Sequence, residues 1–294
     1  MDNDIIKIPT FKSGNFIISK KYKESEISGL LYGINILYKT VADLPILPDW
    51  ASQLEVELVK RSIFGTAAIE GNPLNEEEVG KIISGPDKKD DIAKKAEQEI
   101  KNLKEVYDFI KTIVPSESPV DLTEQEIAKI HFMMTKNVSY ELNEPGKYRN
   151  QKVQVGDKDH GGVYTPPKCL PDIKKLMEEF TIWINTENFK RQDPVVRAAL
   201  AHYHLGLIHP FGNGNGRTAR AIEGILLRSA NIKYVPTMLS NYYYKKLDDY
   251  FWAFSLSRKN NDHDVTPFIK FVLDGVIDSL NEIKDRMIFY LRSL

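Results

Sequence analysis

The chemistry this sequence offers most openly lies in one run: His209-Pro210-Phe211-Gly212-Asn213-Gly214-Asn215-Gly216-Arg217-Thr218-Ala219-Arg220. Alternating Gly and Asn tolerate positive φ, so successive backbone N–H groups can converge on an anion. Arg217 and Arg220 are three apart. On a helix starting near Asn215 they project from the same side of its first turn, beside the positive end of the dipole. Guanidinium forks and backbone donors then face the same anion, an arrangement suited to a polyphosphate. His209 sits just before the turn, at the end of an apolar helical pattern. Its ordinary pKa of about 6.5 leaves it largely neutral at pH 7, able to accept a proton from an attacking hydroxyl.

Two familiar phosphate loops do not account for the run. A Walker loop needs Gly, four residues and then Gly-Lys-Ser/Thr, whereas Arg217 follows the four residues after Gly212 and no Lys comes next. In the dinucleotide fingerprint the third glycine would fall at Arg217, and the preceding segment reads as helix rather than strand.

The run resembles the signature of the Fic (Fic/Doc) family, His-x-Phe-x-Asp/Glu-Gly-Asn-Gly-Arg-x-x-Arg, at every specified position except Asn213. The resemblance implies a protein AMP-transferase that moves AMP from ATP to a hydroxyl side chain of a target protein, with Mg2+ as the metal. It implies His209 as general base, Gly214, Asn215 and Gly216 lining the anion hole, and Arg217 and Arg220 on the β and γ phosphates. Phe211 would turn inward and anchor the loop. The family's acid, which coordinates the magnesium, is replaced by Asn213. An amide offers one neutral carbonyl where hard cations favour charged oxygens, so weaker magnesium dependence and slower transfer are expected. A binding module gated by ATP, with little turnover, is the alternative that Asn213 leaves open.

Upstream, Thr66-Ala67-Ala68-Ile69-Glu70-Gly71-Asn72-Pro73 reads as the last turn of a helix, with Gly71 as a left-handed cap and Pro73 blocking continuation. A carboxylate there meets the negative end of the dipole and needs a cation to answer it. The segment resembles the family's inhibitory motif, Ser/Thr-x-x-x-Glu-Gly/Asn, through Thr66, Glu70 and Gly71. This implies that Glu70 pairs with Arg220 and misaligns ATP; in some relatives the same Glu supports removal of AMP.

A hairpin is expected between Tyr148 and Pro167. Val153, Val155, Val163 and Tyr164 supply β-prone residues, and Gly156, Asp157, Gly161 and Gly162 supply the turn. By resemblance it is the flap that clamps a target backbone, with Val153, Gln154 and Val155 at its edge. Tyr250 and Phe251 occupy the place of a family Tyr-Tyr pair near adenine. The other aromatics from Tyr242 to Phe254 read as helix packing. His202 and His204, two apart on a helix, point to nearly opposite sides and do not make a metal site with His209.

These motifs require a mostly helical scaffold. Helical patterns run over 22–40, 50–70, 89–113, 123–137, 170–186, 193–208, 216–230, 242–258 and 266–292. Asp193-Pro194 opens the helix that leads to His209. The expected fold is all-α: a Fic-type helical bundle core with a short β-hairpin flap and an N-terminal helical extension. Residues 1–110 form the N-terminal helical region with the inhibitory motif, and 111–294 the catalytic core with its C-terminal helix. Net charge is −1 with 28% charged residues, so no global basic field argues for nucleic acid. The Lys-rich stretch from Lys88 to Lys104 alternates with acids and suits a solvated helix face. The single Cys169 excludes an intramolecular disulfide and fits a reducing compartment. No apolar stretch reaches about 18 residues and the N-terminus lacks a basic region, so no membrane span or signal peptide is expected and the location is cytoplasmic. Expected partners are a hydroxyl-bearing target protein, with self-modification and homo-oligomerisation open.

Overall fold

The structure, a computed structural model, describes residues 4–85 and 95–292. Its elements are strands β1 (Ile5–Pro9) and β2 (Asn15–Ser19), then helices α1 (Glu24–Ala42), α2 (Pro48–Ile69), α3 (Glu76–Ser84), α4 (Lys95–Thr112), α5 (Glu124–Thr135) and α6 (Leu170–Ile184). There follow α7 (Glu187–Lys190), α8 (Pro194–Ile208), α9 (Asn215–Ser229), α10 (Leu239–Lys245), α11 (Leu247–Lys259) and α12 (Thr266–Arg292). The all-α class holds, and the expected helices recur within a few residues of their predicted ends, apart from one break. Residues 89–94 of the expected 89–113 helix, and the start of the Lys-rich stretch, lie outside the described residues.

The bundle is organised around α8, whose residues from Val195 to Leu205 are all buried, as befits a helix apolar around most of its circumference. Asp193 caps it by accepting the Val195 N–H at 2.8 Å, and Pro194 fills the first turn. Helix α9 packs on α8, α1 lies along α12, and α2 lies against α10. Among the described residues no helix is long and apolar enough to cross a membrane.

Helix α2 carries Thr66 in its last turn, with Glu70 at its C-cap, and Gly65 sets how near they come to the core. A β-carbon at Gly65 would lie 2.8 Å from the Ser240 carbonyl oxygen and 2.9 Å from the Asn241 α-carbon. Glycine lets the two backbones touch. Gly71, at φ +79°, turns the chain out of the helix as expected of a left-handed cap.

Three features differ from the sequence reading. First, the regular sheet is N-terminal: β1 and β2 pair antiparallel, Ile5 opposite Ser19 and Ile8 opposite Phe16. Ile8 and Ile18 face the core, and Asp172 fixes the turn by accepting the Phe11 N–H, the Lys12 N–H and the Ser13 hydroxyl. Second, residues 148–167 form a loop with a single bridge rather than a hairpin of two strands: the Val155 and Tyr164 amides exchange bonds of 3.0 and 2.9 Å. Gly156, Gly161 and Gly162 all take φ near +90° and turn the chain out of extended geometry directly beside that pair. Third, the expected 242–258 helix breaks at Lys246 into α10 and α11. In a straight helix Tyr243 and Tyr250 would be about 10 Å apart along the axis. The break lets their rings stack at 5.0 Å and 6°.

Replacing Gly65 by Ala forces α2 and α10 apart. Urea denaturation should show a loss of about 1–3 kcal/mol, whereas Ala at the open position Gly33, where an added β-carbon meets nothing, should not destabilise. Equal behaviour of the two variants would contradict the close-approach role.

Candidate functional site

The cradle is the connection from α8 to α9. His209 is the C-cap of α8 and takes a left-handed backbone, φ 49° and ψ 58°, unusual for a residue with a β-carbon. Its conformation is held from outside: Arg149 Nε donates to the His209 carbonyl at 2.8 Å, and the Arg149 N–H donates to the Pro210 carbonyl at 2.9 Å. Gly214, at φ 76°, is the N-cap of α9. The amides of Asn215, Gly216 and Arg217 are in the first turn of α9, where N–H groups have no intrahelical acceptor.

Side chains that look like ligands prove to build the loop. Asn215 folds back on it, accepting the Phe211 N–H and donating to the Phe211 carbonyl, both at 2.9 Å. Phe211 is buried and stacks flat on His131, ring centres 3.7 Å apart. His131 accepts the Gly146 N–H on Nδ1 at 2.9 Å, so its proton sits on Nε2, which donates to the Asn213 carbonyl at 2.9 Å. Burial pushes His131 down to about 4, keeping this tautomer neutral.

The His209 ring lies at the edge of the cradle. Its Nδ1 donates weakly to the Gly206 carbonyl at 3.4 Å, which leaves Nε2 unprotonated. Burial, then the positive charge of Arg149, pushes its pKa down to about 4. A neutral imidazole with a bare Nε2 is the form a proton acceptor needs.

Arg217 and Arg220 are both almost fully buried, on the same side of α9, and each is answered from other elements. Arg220 donates from Nε to the Thr66 hydroxyl at 2.8 Å and from Nη2 to Glu70 Oε1 at 2.7 Å. The Glu70 carboxylate also sits over the first turn of α9, where a β-carbon at Gly216 would collide with it. Burial opposes ionisation of Glu70, but the charges of Arg220 and Arg217, with the Arg220 hydrogen bond, hold its carboxyl below the ordinary range. Arg217 donates to the Tyr140 hydroxyl at 2.6 Å and to Asn213 Oδ1 at 2.8 Å, and lies 3.7 Å from Glu99. Tyr140 in turn donates to Glu99 at 2.5 Å.

A cleft of about 320 Å3 opens beside these groups. Glu70, His209, Gly216 and Arg220 line one side, and Val155, His160 and Tyr164 of the 148–167 loop the other. Tyr164 ties that loop to α8 by donating to the Gly206 and Leu207 carbonyls at 3.0 and 2.9 Å. Backbone groups of Lys152, Val153 and Gln154 have no hydrogen-bond partner among the described residues, and Gln154 is exposed. Phe251 lines the cleft and is half-buried. Tyr250 also reaches it but is 6% exposed, and one ring face is covered by Tyr243, so it is poorly placed to stack on a base.

The structure thus gathers His209, Gly216, Arg220 and Glu70 around one cleft, with Arg217 and Asn213 behind them. Sequence reasoning missed Arg149, His131, Tyr140 and Glu99. Each acts through a contact across 60 or more residues, or across a loop without periodicity, apart from the Glu99–Tyr140 bond within that network. Among the described residues no group of three or more His, Cys, Asp or Glu side chains is placed to hold a metal. His202 and His204 serve the core: His204 Nε2 donates to the Ser19 carbonyl at 2.7 Å, and His202 Nε2 contacts the Tyr250 hydroxyl at 2.8 Å.

A buried pair of arginines lies at a glycine-turned helix N-terminus, with a neutral histidine beside them, and these chemical groups suit an anion and a proton acceptor, carried on a helical bundle. The sequence profile of the Fic/DOC family matches residues 121–227. The protein adenylyltransferase Fic of Drosophila yakuba is 34% identical over 155 residues, 53% of this chain and 28% of that protein. Its namesake from Aedes aegypti is 29% identical over 220 residues, 75% of this chain and 40% of that protein. The chain therefore spans two fifths or less of the length of these relatives. The crystal structure of a Fic family protein from Desulfovibrio desulfuricans superposes with a TM-score of 0.70 at 24% identity, covering 88% of this chain and 74% of that one, which shows a shared fold.

His131, His204 and His209 are all pushed down to about 4, in each case chiefly by burial. Unfolded, they titrate near 6.5, so below that pH the unfolded chain binds more protons. Stability is then complete above about 6.5 and falls as pH drops toward 4, by up to about 1.4 kcal/mol per pH unit for each histidine. Urea unfolding at pH 7 and pH 5 should show this loss, reduced in His204→Gln. Equal stability at the two values would contradict neutral burial of these rings.

Proposed function

We propose that this protein is an AMP-transferase held in check by its own Glu70, moving AMP from ATP to a Ser, Thr or Tyr hydroxyl of a target protein. The observation that carries this reading is the 2.7 Å ion pair between Glu70 and Arg220, a guanidinium 4% exposed at the mouth of an anion cradle. A buried cation deprived of its partner is costly. When Glu70 leaves, Arg220 requires another anion, and the γ phosphate of ATP supplies one.

In the active arrangement the amides of Asn215, Gly216 and Arg217 and the two guanidiniums bind the triphosphate. A target segment adds along residues 152–154, whose free backbone groups suit strand addition. His209 Nε2 takes the proton of the target hydroxyl, its oxygen bonds to the α phosphorus, and the bond to the β-phosphate oxygen breaks, releasing pyrophosphate. Phe251 contacts the adenine end of the cleft. With Glu70 paired to Arg220 the triphosphate cannot take this pose. A displacement of about 1 Å costs on the order of a hundredfold. Residues 1–110, which carry Glu70, have the regulatory share of this arrangement, and 111–294 the catalytic share.

Magnesium fits the loop poorly as it stands. The single amide oxygen of Asn213 is engaged by the cationic Arg217, and the neighbouring carboxylate, Glu99, is held by Tyr140 and by the Asn72 amide at 2.8 Å. The same observation favours a second reading, in which nucleotide binding gates a partner interaction with little turnover.

Incubation with α-labelled ATP separates the two. Glu70→Gly should raise protein-bound label, on a target or on the protein itself, roughly ten- to hundredfold over wild type, and Glu70→Gly with His209→Ala should abolish it. No label in Glu70→Gly despite ATP binding would leave the binding-module reading. Asn213→Asp in the Glu70→Gly protein should steepen the magnesium titration of labelling; superimposable curves would show that the residue does not limit the reaction.

A further inference from the structure

Beside Arg220, reaching the same cleft as Glu70, lies a buried polar chain. His202 of α8 is 1% exposed, Glu223 of α9 2% and Tyr250 of α11 6%. Glu223 Oε2 lies 3.2 Å from His202 Nδ1, somewhat off the line of a good hydrogen bond. His202 Nε2 is 2.8 Å from the Tyr250 hydroxyl. Tyr250 and His202 line the same cleft as Arg220, and after the Glu70 charge the nearby Tyr250 oxygen also helps Arg220 keep its proton. The other Glu223 oxygen accepts the Tyr243 hydroxyl at 2.9 Å, and Tyr243 stacks flat on Tyr250.

Donor and acceptor logic gives the chain one direction. A carboxylate only accepts, so the proton of His202 belongs on Nδ1, toward Glu223. Nε2 is then bare and accepts the Tyr250 O–H. The phenol has one proton, and with it given to His202 its remaining lone pairs turn to Arg220. The phenol stays protonated throughout, since burial, set against the Arg220 charge, pushes Tyr250 up to about 12. Arg220 donates to Thr66 and Glu70 from α2, which belong to the inhibited state, and has the free lone pairs of Tyr250, which belongs to the rigid core, close by.

We propose that Glu223, His202 and Tyr250 are positioning residues for Arg220, holding its guanidinium toward the cleft once Glu70 has withdrawn and so setting the preference for a nucleotide with a terminal phosphate. This rests on the assignment of Arg220 to the γ phosphate in the preceding reading. It gives Tyr250 a role different from adenine stacking, one that depends on its hydroxyl rather than its ring.

The test compares ATP and ADP affinities by calorimetry in the Glu70→Gly protein, since ADP lacks the phosphate that Arg220 would hold. Tyr250→Phe keeps the ring and its stack on Tyr243 while removing the hydroxyl. It should weaken ATP binding about tenfold and ADP binding less than twofold. Glu223→Gln, at the far end of the chain, should act in the same sense and by less. Arg220→Gln provides the reference and should bring the two affinities together. If Arg220→Gln narrows the ATP preference while folded Tyr250→Phe and Glu223→Gln do not, or weaken both nucleotides equally, the positioning role is overturned. If Arg220→Gln itself leaves the preference intact, the γ-phosphate assignment fails, and this inference with it.

Discussion

The structure depends on one buried cation. Arg220 sits near the N-terminus of α9 with almost no exposure, so its charge must be met by protein or by ligand. Thr66 and Glu70 meet it on one side. To bring them there α2 must touch α10, and the glycine at position 65 makes that contact possible. Tyr250 is brought near it, in the same cleft, by the break at Lys246. Three separate packing decisions, at Gly65, at Lys246 and at the α8–α9 turn, converge on the same guanidinium.

That convergence lets the proposed inhibition and the proposed activity share one site. Glu70 occupies the dipole end and the guanidinium that an anion would use, and its hold is electrostatic rather than steric. An ion pair that is buried only at the arginine end, with Glu70 still partly open to the cleft, is exchangeable for another anion. Arg217, by contrast, is enclosed by Tyr140, Glu99 and Asn213, which makes it the more fixed of the two. Asn213 belongs to that enclosure, its oxygen serving a guanidinium where the family signature has an acid.

The loop's precision comes from residues that never touch an anion. His131, kept neutral by burial, bridges the Gly146 amide and the Asn213 carbonyl while Phe211 stacks on its ring. Arg149 holds the His209 carbonyl and so supports a left-handed histidine. These are directional hydrogen bonds between distant segments. Their partners are set by the fold, which is why the 209–220 run alone does not reveal that the Asn215 side chain closes the loop.

By itself the sequence determined the helical periodicity, the caps at Asp193 and Gly71, and the run that places two arginines one turn apart beside a histidine. These are local properties, fixed by residue type and spacing. The β-prone runs Ile5–Pro9 and Asn15–Ser19 are equally local signals, and the capping box at Asn75 and Glu78 is legible in the same way. Tertiary structure alone decided that the 148–167 loop forms one bridge, that α10 and α11 part at Lys246, and that Tyr140, Arg149, His131 and His202 reach the site. Each of these follows from packing between segments far apart in the chain, where burial and hydrogen-bond satisfaction outweigh the weak preference of any single stretch.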